Sequence, residues 1–245
     1  MAVPRFFVPQ GIAPDVVGSP IELPEAAAHH ATRVLRLAPG DALTLFTGTG
    51  GEYAATLVAA DRRGATARID RFDPVERESP FAVTLAQGVA ANDAMDYAIR
   101  KAVELGVTAI QPLVTERSAP VPAGDRGDKR LAHWRQIVVA ACEQCGRNRI
   151  PGVAPARSIG EWLAAWSGAG VMLAPDGMTS ICSIAAPAEP LALLVGPEGG
   201  WTTRELSAAS ACGFKRLRLG PRILRTETAG VAALAVMQAT WGDLR

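Results

Sequence analysis

The sequence predicts an α/β protein in which a small β-rich domain precedes a larger domain built on a parallel sheet. Short apolar runs separated by turn residues fill residues 1–74, whereas strand-length apolar runs alternate with amphipathic, helix-length stretches after Pro80. Such alternation is typical of a parallel sheet covered by helices on both faces. The acidic, proline-containing segment 72–80 separates the two patterns, so we predict domains at 1–74 and 75–245.

The first domain is predicted to contain three strands and one short helix. The strands, which are separated by turn residues, cover 41–46, 52–60 and 65–70. The helix covers 24–37, because Pro24 stands near its start and Pro39-Gly40 ends it. A few strands with a single small helix indicate a compact β-barrel or half-barrel.

The second domain is predicted to alternate five strands with five helices. The strands cover 81–89, 108–115, 171–175, 191–196 and 216–220. The helices cover 92–105, 129–145, 159–166, 203–212 and 227–241. Gly106 stands where a glycine commonly ends a helix. Ligands of parallel sheets of this kind bind at the carboxyl ends of the strands.

The composition is that of an ordinary globular protein, since 49% of the residues are hydrophobic and 20% are charged. The first residues lack the basic start and the apolar run of a signal peptide. No apolar segment approaches the roughly 20 residues that a membrane helix needs. We therefore expect a cytoplasmic protein that has no membrane partner.

Charge is informative only locally, because the formal net charge is +1. This value excludes a polycation that coats nucleic acid. Residues 206–226 include five basic and no acidic residues, and residues 129–150 include five basic residues against one acidic residue. Each patch fits phosphate groups, and each equally fits an ordinary solvated surface.

Two strand-to-helix connections concentrate the residues that carry chemistry. In 193–206, glycines after an apolar strand permit close approach of the backbone to a ligand, and Thr202 or Thr203 is suited to cap the next helix. In 217–234, the loop after Gly220 carries arginines, threonines and Glu227. These patterns indicate a ligand site at adjacent loops, although a glycine-containing turn in an α/β protein also occurs without any ligand.

Other known signatures are absent from the sequence. No G-x-x-x-x-G-K-[ST] motif is present, which disfavours a P-loop nucleotidase. None of the three histidines lies near the two connections, so a histidine-based triad and a zinc hydrolase are disfavoured. Cys142 and Cys145 form a single C-x-x-C within a predicted helix, without a second pair. We predict free thiols there and no metal site.

At this point the chain resembles a known family. The segments that carry the resemblance are LLVGPEGG (193–200), LGPRILRTETA (219–229), ELGV (104–107), AACEQCGRNRIP (140–151) and HHATRVLRLAPGDALTLF (29–46). In this order they resemble the bacterial 16S ribosomal RNA uridine N3-methyltransferases of the SPOUT superfamily. The resemblance covers essentially the whole chain. Residues 89–97 depart from the more basic version of the family, and no role is assigned to them.

The resemblance implies a SPOUT-type parallel sheet with a deep trefoil knot, preceded by a PUA-like RNA-binding β-barrel. It implies S-adenosylmethionine as cofactor. It also implies a homodimer that acts on 16S ribosomal RNA of the small ribosomal subunit, and Glu143–Arg149 is our candidate contribution to the partner's site. The residues that the resemblance assigns to cofactor binding are Leu173, Leu194, Val195, Gly196, Pro197, Glu198, Gly199, Gly200, Leu219, Gly220, Ile223, Leu224 and Arg225.

Methylation at uracil N3 requires loss of a proton and stabilisation of negative charge on the base. Arg225 is the candidate for stabilising the anion, and Glu227 or Glu198 for accepting the proton. Glu227 equally fits the ordinary preference for acidic residues in the first turn of a helix. Arg147 is a candidate for binding phosphate or the base.

The remaining RNA contacts are expected from arginines, since RNA is held by shape and phosphate contacts. The candidates are Arg5, Arg33, Arg36, Arg147 and Arg149. Two alternatives to this function remain open. One is a non-catalytic RNA-binding or ribosome-assembly factor on the same scaffold, and the other is the same chemistry on transfer RNA.

Overall fold

A computed structural model describes residues 3–13, 16–61, 64–188 and 190–244. The chain forms two compact units. The first comprises the residues up to Glu78 together with Cys142–Ile150, and the second comprises Ser79–Ala141 and the residues from Pro151 onward. The first unit is therefore discontinuous in sequence, which the sequence patterns did not indicate.

A five-stranded sheet forms the first unit, in the order β1-β3-β4-β5-β2. Its strands are β1 (Arg5–Phe7), β2 (Pro20–Glu22), β3 (Ala42–Phe46), β4 (Glu52–Ala60) and β5 (Ala65–Asp73). β1 and β3 are parallel and the other pairs are antiparallel. The three predicted strands are confirmed as β3, β4 and β5, whereas β1 and β2 are too short to show a period in the sequence.

One helical segment packs on this sheet, as predicted. It begins as α1 (Glu25–His29) after Pro24 and continues as a turn of π-helix over His30–Val34. Buried alanines from this segment, including Ala27 and Ala31, join the apolar core of the unit with the inward-facing residues of the strands.

Cys142–Ile150 adds a further backbone pairing to the first unit. The N–H of Ile150 donates to the carbonyl of Gly48 at 3.1 Å, and the N–H of Gly50 donates to the carbonyl of Asn148 at 3.2 Å. The Asn148 side chain is fully buried and donates to the Val75 carbonyl at 2.8 Å. The segment thus completes the unit instead of crossing it as a loose linker.

A seven-stranded sheet forms the second unit, with the order β12-β10-β11-β6-β7-β8 and β9 also paired to β7. All its strand pairs are parallel, as predicted. The strands are β6 (Val83–Gly88), β7 (Ala109–Val114), β8 (Gly152–Val153), β9 (Arg157–Ser158), β10 (Ala169–Leu173), β11 (Leu191–Val195) and β12 (Lys215–Leu217). The five predicted strands correspond to β6, β7, β10, β11 and β12.

The five predicted helices of the second unit are confirmed. They are α2 (Asn92–Glu104), α3 (Asp125–Cys145), α4 (Ile159–Ala165), α5 (Thr203–Ala211) and α6 (Thr226–Trp241). The last turn of α3 already belongs to the first unit. Every residue of the central strand β11 is buried, which explains its uninterrupted apolar sequence. The trefoil knot that the resemblance implies stays a prediction.

A search of the described residues finds no helix with the length and apolarity that crossing a membrane requires.

Candidate functional site

A cavity of about 1010 Å³ opens at the carboxyl ends of β10, β11 and β12. Its walls are the loop after β11, the loop after β12 with the first turn of α6, the residues that follow β10, and the start of α2. All lining residues belong to the second unit. The cavity therefore lies where a parallel sheet is expected to bind its ligand.

Most residues predicted to hold the cofactor line this cavity. They are Leu173, Val195, Gly196, Pro197, Glu198, Gly200, Leu219, Gly220, Ile223, Leu224 and Arg225. Leu194 and Gly199 are not among the lining residues. Leu194 is fully buried in the hydrophobic core, and Gly199 packs against Arg117, which donates to its carbonyl at 3.1 Å.

The sequence did not single out the wall contributed by α2. Asp93 and Tyr97 line the cavity from this helix, and Trp201 lines it from the end of the first loop. α2 follows β6, which pairs with β11, so the rule that ligands meet the carboxyl ends of neighbouring strands identifies this helix once the strand order is known.

The loop after β11 is held close to the end of β6. A Cβ atom placed on Gly88 would lie 2.7 Å from Pro197, so only glycine permits this approach. Glu198 Oε1 accepts a hydrogen bond of 2.7 Å from the Ala91 N–H, immediately before α2. These two contacts hold the loop at Pro197 and at Glu198.

Trp201 forms a rigid side of the same loop. Its Nε1 donates to the Leu173 carbonyl at 2.9 Å, which ties the loop to the end of β10. A Cβ atom on Gly196 would lie 3.2 Å from the indole ring, which explains why the strand ends in a glycine here. Larger side chains at Gly196 would be driven against this ring or into the cavity.

The helix that follows the first loop is capped as the sequence predicts. Thr202 is the N-cap, and its hydroxyl accepts from the Glu205 N–H while the Glu205 carboxylate accepts from the Thr202 N–H. Glu205 is buried, and its other oxygen accepts from the Glu116 N–H at 2.9 Å. The capping residues thus also anchor the loop after β7.

The loop after β12 leaves its backbone available to a ligand. No hydrogen bond within the described ranges uses the N–H groups of Leu219, Gly220 or residues 222–225. Leu219 and Leu224 are half-buried and line the cavity, so apolar side chains and unpaired amides occur together in this wall. These amides are free to donate hydrogen bonds to solvent or to a ligand in the cavity.

Three arginines stand exposed along this wall, namely Arg218, Arg222 and Arg225. Among the described residues none of the three has a carboxylate partner. Arg216, from the same basic stretch, instead pairs with Asp176 at 3.3 Å. Within this basic stretch, Arg216 therefore forms an ion pair, whereas the three arginines that line the cavity do not.

Glu227 and Glu198, the two candidate proton acceptors, line the same cavity as Arg225. Glu198 is engaged by the Ala91 amide. The Glu227 side chain, in the first turn of α6, is half-buried and makes no hydrogen bond or ion pair within the described part of the chain. The two carboxylates therefore differ in that a backbone amide already engages only Glu198.

Gln87 and Thr226 join the two loops by buried hydrogen bonds. Gln87 Nε2 donates to Thr226 Oγ1 at 2.9 Å, and the Thr226 hydroxyl donates to the Gly196 carbonyl. Gln87 is fully buried, and Thr226 is 7% exposed. Thr226 belongs to the loop that the sequence singled out, but Gln87 was not identified, because a single glutamine at the end of a strand carries no motif.

Arg147 is not among the residues that line this cavity. Arg147 is 4% exposed and forms an ion pair with Glu78 inside the first unit. Arg5 is likewise partly buried, paired with Glu52 and hydrogen-bonded to Asn148 Oδ1 at 2.6 Å.

The other RNA-binding candidates are accessible. Arg33 and Arg36 are exposed, and Arg36 has a positive φ of 56°. Arg149 is exposed and pairs only at 3.4 Å with Glu76.

The C-x-x-C cysteines are free thiols, as predicted. Cys142 is buried, and burial raises the pKa of its thiol to about 12. A thiol with so high a pKa is not a nucleophile at neutral pH, so Cys142 is not the activated cysteine of a redox motif.

The chain matches two described families. The RNA methyltransferase domain family matches residues 77–238, and the RNA methyltransferase PUA domain family matches residues 23–70. A ribosomal RNA small subunit methyltransferase E from Buchnera aphidicola is 30% identical over 244 residues, covering 99% of this chain and 98% of the relative.

Two solved structures are similar over the full length of both chains. A ribosomal RNA small subunit methyltransferase E from Neisseria gonorrhoeae, bound to S-adenosylmethionine, is 40% identical with a TM-score of 0.92. A Legionella pneumophila protein in complex with the same cofactor is 35% identical with a TM-score of 0.95. The chain therefore belongs to the ribosomal RNA small subunit methyltransferase E family of RNA methyltransferases.

Proposed function

We propose that this protein transfers the methyl group of S-adenosylmethionine to N3 of one uridine in 16S ribosomal RNA of the small subunit. The observation that carries the proposal is the cavity between the loops after β11 and β12, which gathers the glycine turns, Arg225 and Glu227 in one place. Relatives that match along the whole chain are named as small-subunit ribosomal RNA methyltransferases, and one of them is solved with the cofactor.

The cavity suits the cofactor in size and in chemistry. Its volume of about 1010 Å³ is at the upper end of the usual range for small-molecule sites. Apolar Leu173, Val195 and Leu219 offer a surface for the adenine ring, and the unpaired amides of 222–225 offer donors for polar groups. S-adenosylmethionine, when bound, supplies an electrophilic methyl group on its sulfonium.

The side chains around the cavity then have to remove the N3 proton of the target uracil and stabilise the negative charge that results. Uracil N3 lies on the Watson–Crick edge, so the target uridine enters the cavity unpaired or flipped out of a helix. Glu227 is the proposed acceptor of the N3 proton, because its carboxylate has no partner within the described residues, whereas Glu198 is held by the Ala91 amide. Arg225 is the proposed stabiliser of negative charge on the uracil carbonyls.

The RNA backbone is proposed to lie along the exposed arginines. Arg218 and Arg222 line the cavity and are free to meet phosphates that flank the target nucleotide. Arg33, Arg36 and Arg149 of the first unit are further candidates. Since Arg147 is buried against Glu78, we propose that it holds the first unit together.

We also propose that the protein acts in the cytoplasm as a homodimer, with segment Glu143–Arg149 contributing to the site of the second copy. Arg149 is the exposed cation of this segment, with 56% of its side chain accessible, so it is the member suited to contact RNA there. Light scattering at micromolar protein concentration tests the dimer, and a monomer mass would contradict it.

The decisive experiment uses labelled S-adenosylmethionine with small ribosomal subunits from cells that lack this methylation. We expect label in 16S ribosomal RNA, recovered as 3-methyluridine after nuclease digestion. Label only in transfer RNA would favour the same chemistry on another substrate. Cofactor binding without label in either RNA, or no cofactor binding at all, would favour a non-catalytic RNA-binding or assembly factor.

A further inference from the structure

A fully buried glutamine joins the two loops that bound the cavity. Gln87 is the next-to-last residue of β6 and is completely shielded from solvent. Besides its bond to Thr226, its Nε2 lies 3.0 Å from the Gly88 carbonyl and 3.4 Å from the Gly196 carbonyl. Gly196 follows β11 and Thr226 opens α6, so this one side chain spans both connections.

The direction of these hydrogen bonds follows from the chemistry of the partners. The carbonyls of Gly88 and Gly196 can only accept, so the amide nitrogen of Gln87 has to face them, and not the amide oxygen. The Thr226 oxygen accepts from Gln87, which leaves its hydroxyl proton to donate to Gly196. The Gly196 carbonyl is therefore held from two sides, and its peptide orientation is fixed.

The buried Gln87 amide also destabilises the fold, so close packing alone does not explain why a glutamine occupies this position. Gln87 Oε1 is buried and has no hydrogen-bond partner among the described residues. An unpaired buried acceptor destabilises a fold, and an apolar side chain of similar length would avoid this. The neighbouring Gly88 is also shaped to the loop, because a Cβ atom there would meet Pro197 at 2.7 Å. Both residues at the end of β6, Gln87 and Gly88, are thus in close contact with the loop after β11.

We infer that Gln87 and Thr226 are positioning residues, which lock the Gly196 backbone to the start of α6. Thr226 stands directly between Arg225 and Glu227 in sequence. The bond to Gly196 consequently fixes the backbone of the proposed anion stabiliser and proton acceptor relative to the first cofactor loop. This inference rests on the proposed function, since it specifies how the same cavity is held in its working geometry.

The first test replaces Gln87 by methionine, which keeps the length but removes the amide. Calorimetry with S-adenosylmethionine should show a dissociation constant raised about tenfold, the size expected for one buried hydrogen bond. Turnover at saturating cofactor should also fall, because the backbone of Arg225 and Glu227 is no longer fixed relative to the loop after β11. Gln238→Met is the matched control, since Gln238 is equally buried in α6 but bonds to Ser79 and Leu105.

We expect Gln238→Met to lower the melting temperature and to leave the cofactor dissociation constant within about twofold of the unmodified protein. Equal cofactor binding by Gln87→Met and Gln238→Met would overturn the inference. If the unmodified protein binds no cofactor, the proposed function itself fails. If it binds cofactor and methylates RNA while Gln87→Met does the same unaltered, only the positioning role fails.

A second pair of variants decides the question if Gln87→Met does not fold. Thr226→Ser keeps the hydroxyl that passes the hydrogen bond from Gln87 to Gly196, whereas Thr226→Val keeps the shape and removes it. The serine variant should retain cofactor affinity and turnover, and the valine variant should lose about tenfold in affinity. Equal affinity and turnover of the two variants would contradict the inference, because only the serine variant keeps the hydroxyl that bonds to Gln87 and Gly196.

Discussion

The backbone N–H of Ala91 donates to Glu198 Oε1 across 2.7 Å, and this bond ties the start of α2 to the first cavity loop. Glu198 is therefore suited to hold the loop, whereas the Glu227 carboxylate has no hydrogen-bond partner within the described residues.

Glu227→Gln is expected to reduce turnover about 100-fold or more, the usual contribution of a general base, with little change in cofactor affinity. Single-turnover methylation of small subunits measures this. Glu198→Gln is the control, because its amide oxygen can still accept from the Ala91 N–H. A larger loss in Glu198→Gln than in Glu227→Gln would reverse the assignment.

Arg225→Ala is expected to lower turnover about 100-fold while the cofactor dissociation constant changes by less than about threefold, because removal of one stabiliser of a developing oxyanion has effects of this size. Arg222 lines the same wall of the cavity. Arg222→Ala should instead raise the KM for RNA and leave the turnover at saturating RNA unchanged. Unchanged turnover in Arg225→Ala would remove that residue from catalysis.

Gly196→Val is expected to abolish cofactor binding in calorimetry. The added Cβ would lie 3.2 Å from the Trp201 ring, and its methyl groups would have to enter the cavity or displace the indole. Gly160→Ala is the matched control, since a Cβ there meets no atom within 4 Å and alanine favours the helix α4. Normal cofactor affinity in Gly196→Val would show that the ligand lies elsewhere.

Arg147→Met is expected to lower the free energy of unfolding by about 2 kcal/mol, because it leaves the half-buried Glu78 carboxylate without the buried Arg147 guanidinium as its partner. Arg149→Met should cost less than about 1 kcal/mol, since its pair with Glu76 is solvent-exposed. Urea denaturation measures both. Weaker RNA binding by Arg147→Met at unchanged stability would instead indicate a direct contact with RNA.

Glu52 is expected to make the fold sensitive to acid. Burial acts to raise its pKa, but hydrogen bonds and charges from Arg77 and Arg5 outweigh this and lower the pKa from 4.5 to about 2. The folded state thus binds the proton less tightly than the unfolded state. The stabilisation is fully present above pH 4.5 and is lost as the pH falls toward 2.

Solvent screens these ion pairs, because the Arg77 side chain is partly exposed, so the stabilisation from Glu52 is of order 1 kcal/mol. Glu52→Gln should therefore unfold more readily at neutral pH and show a shallower loss of stability between pH 4.5 and 2. Denaturant titrations at several pH values check this. Parallel pH profiles for the two proteins would show that the ion pairs contribute nothing to acid stability.

Sequence patterns predicted the regular elements well where a period or a boundary residue was present. Helix α2 was delimited by its apolar face and Gly106, and β11 by its continuous apolar run. The short strands β1 and β8 have too few residues to show a period. Their pairing depends on partners distant in sequence, which no local pattern records.

The candidate site was predictable where it depends on loops with a distinctive composition. Gly196–Gly200 and the arginines after Gly220 marked two walls of the cavity. The burial of Arg147 was not predictable, because its partner Glu78 precedes it by 69 residues. Gln87 was missed for a related reason: its importance lies in three acceptors that the fold brings together.

The return of Cys142–Ile150 to the first unit determines when that unit can complete its folding during synthesis. The Val75 carbonyl and the Glu78 carboxylate find their partners in Asn148 and Arg147. A nascent chain emerges from its amino end, so Val75 and Glu78 wait until partners 73 and 69 residues further along the chain have been made. The first unit is therefore not an independently excisable fragment, since a chain cut after Glu78 would lack the segment Cys142–Ile150 that belongs to it.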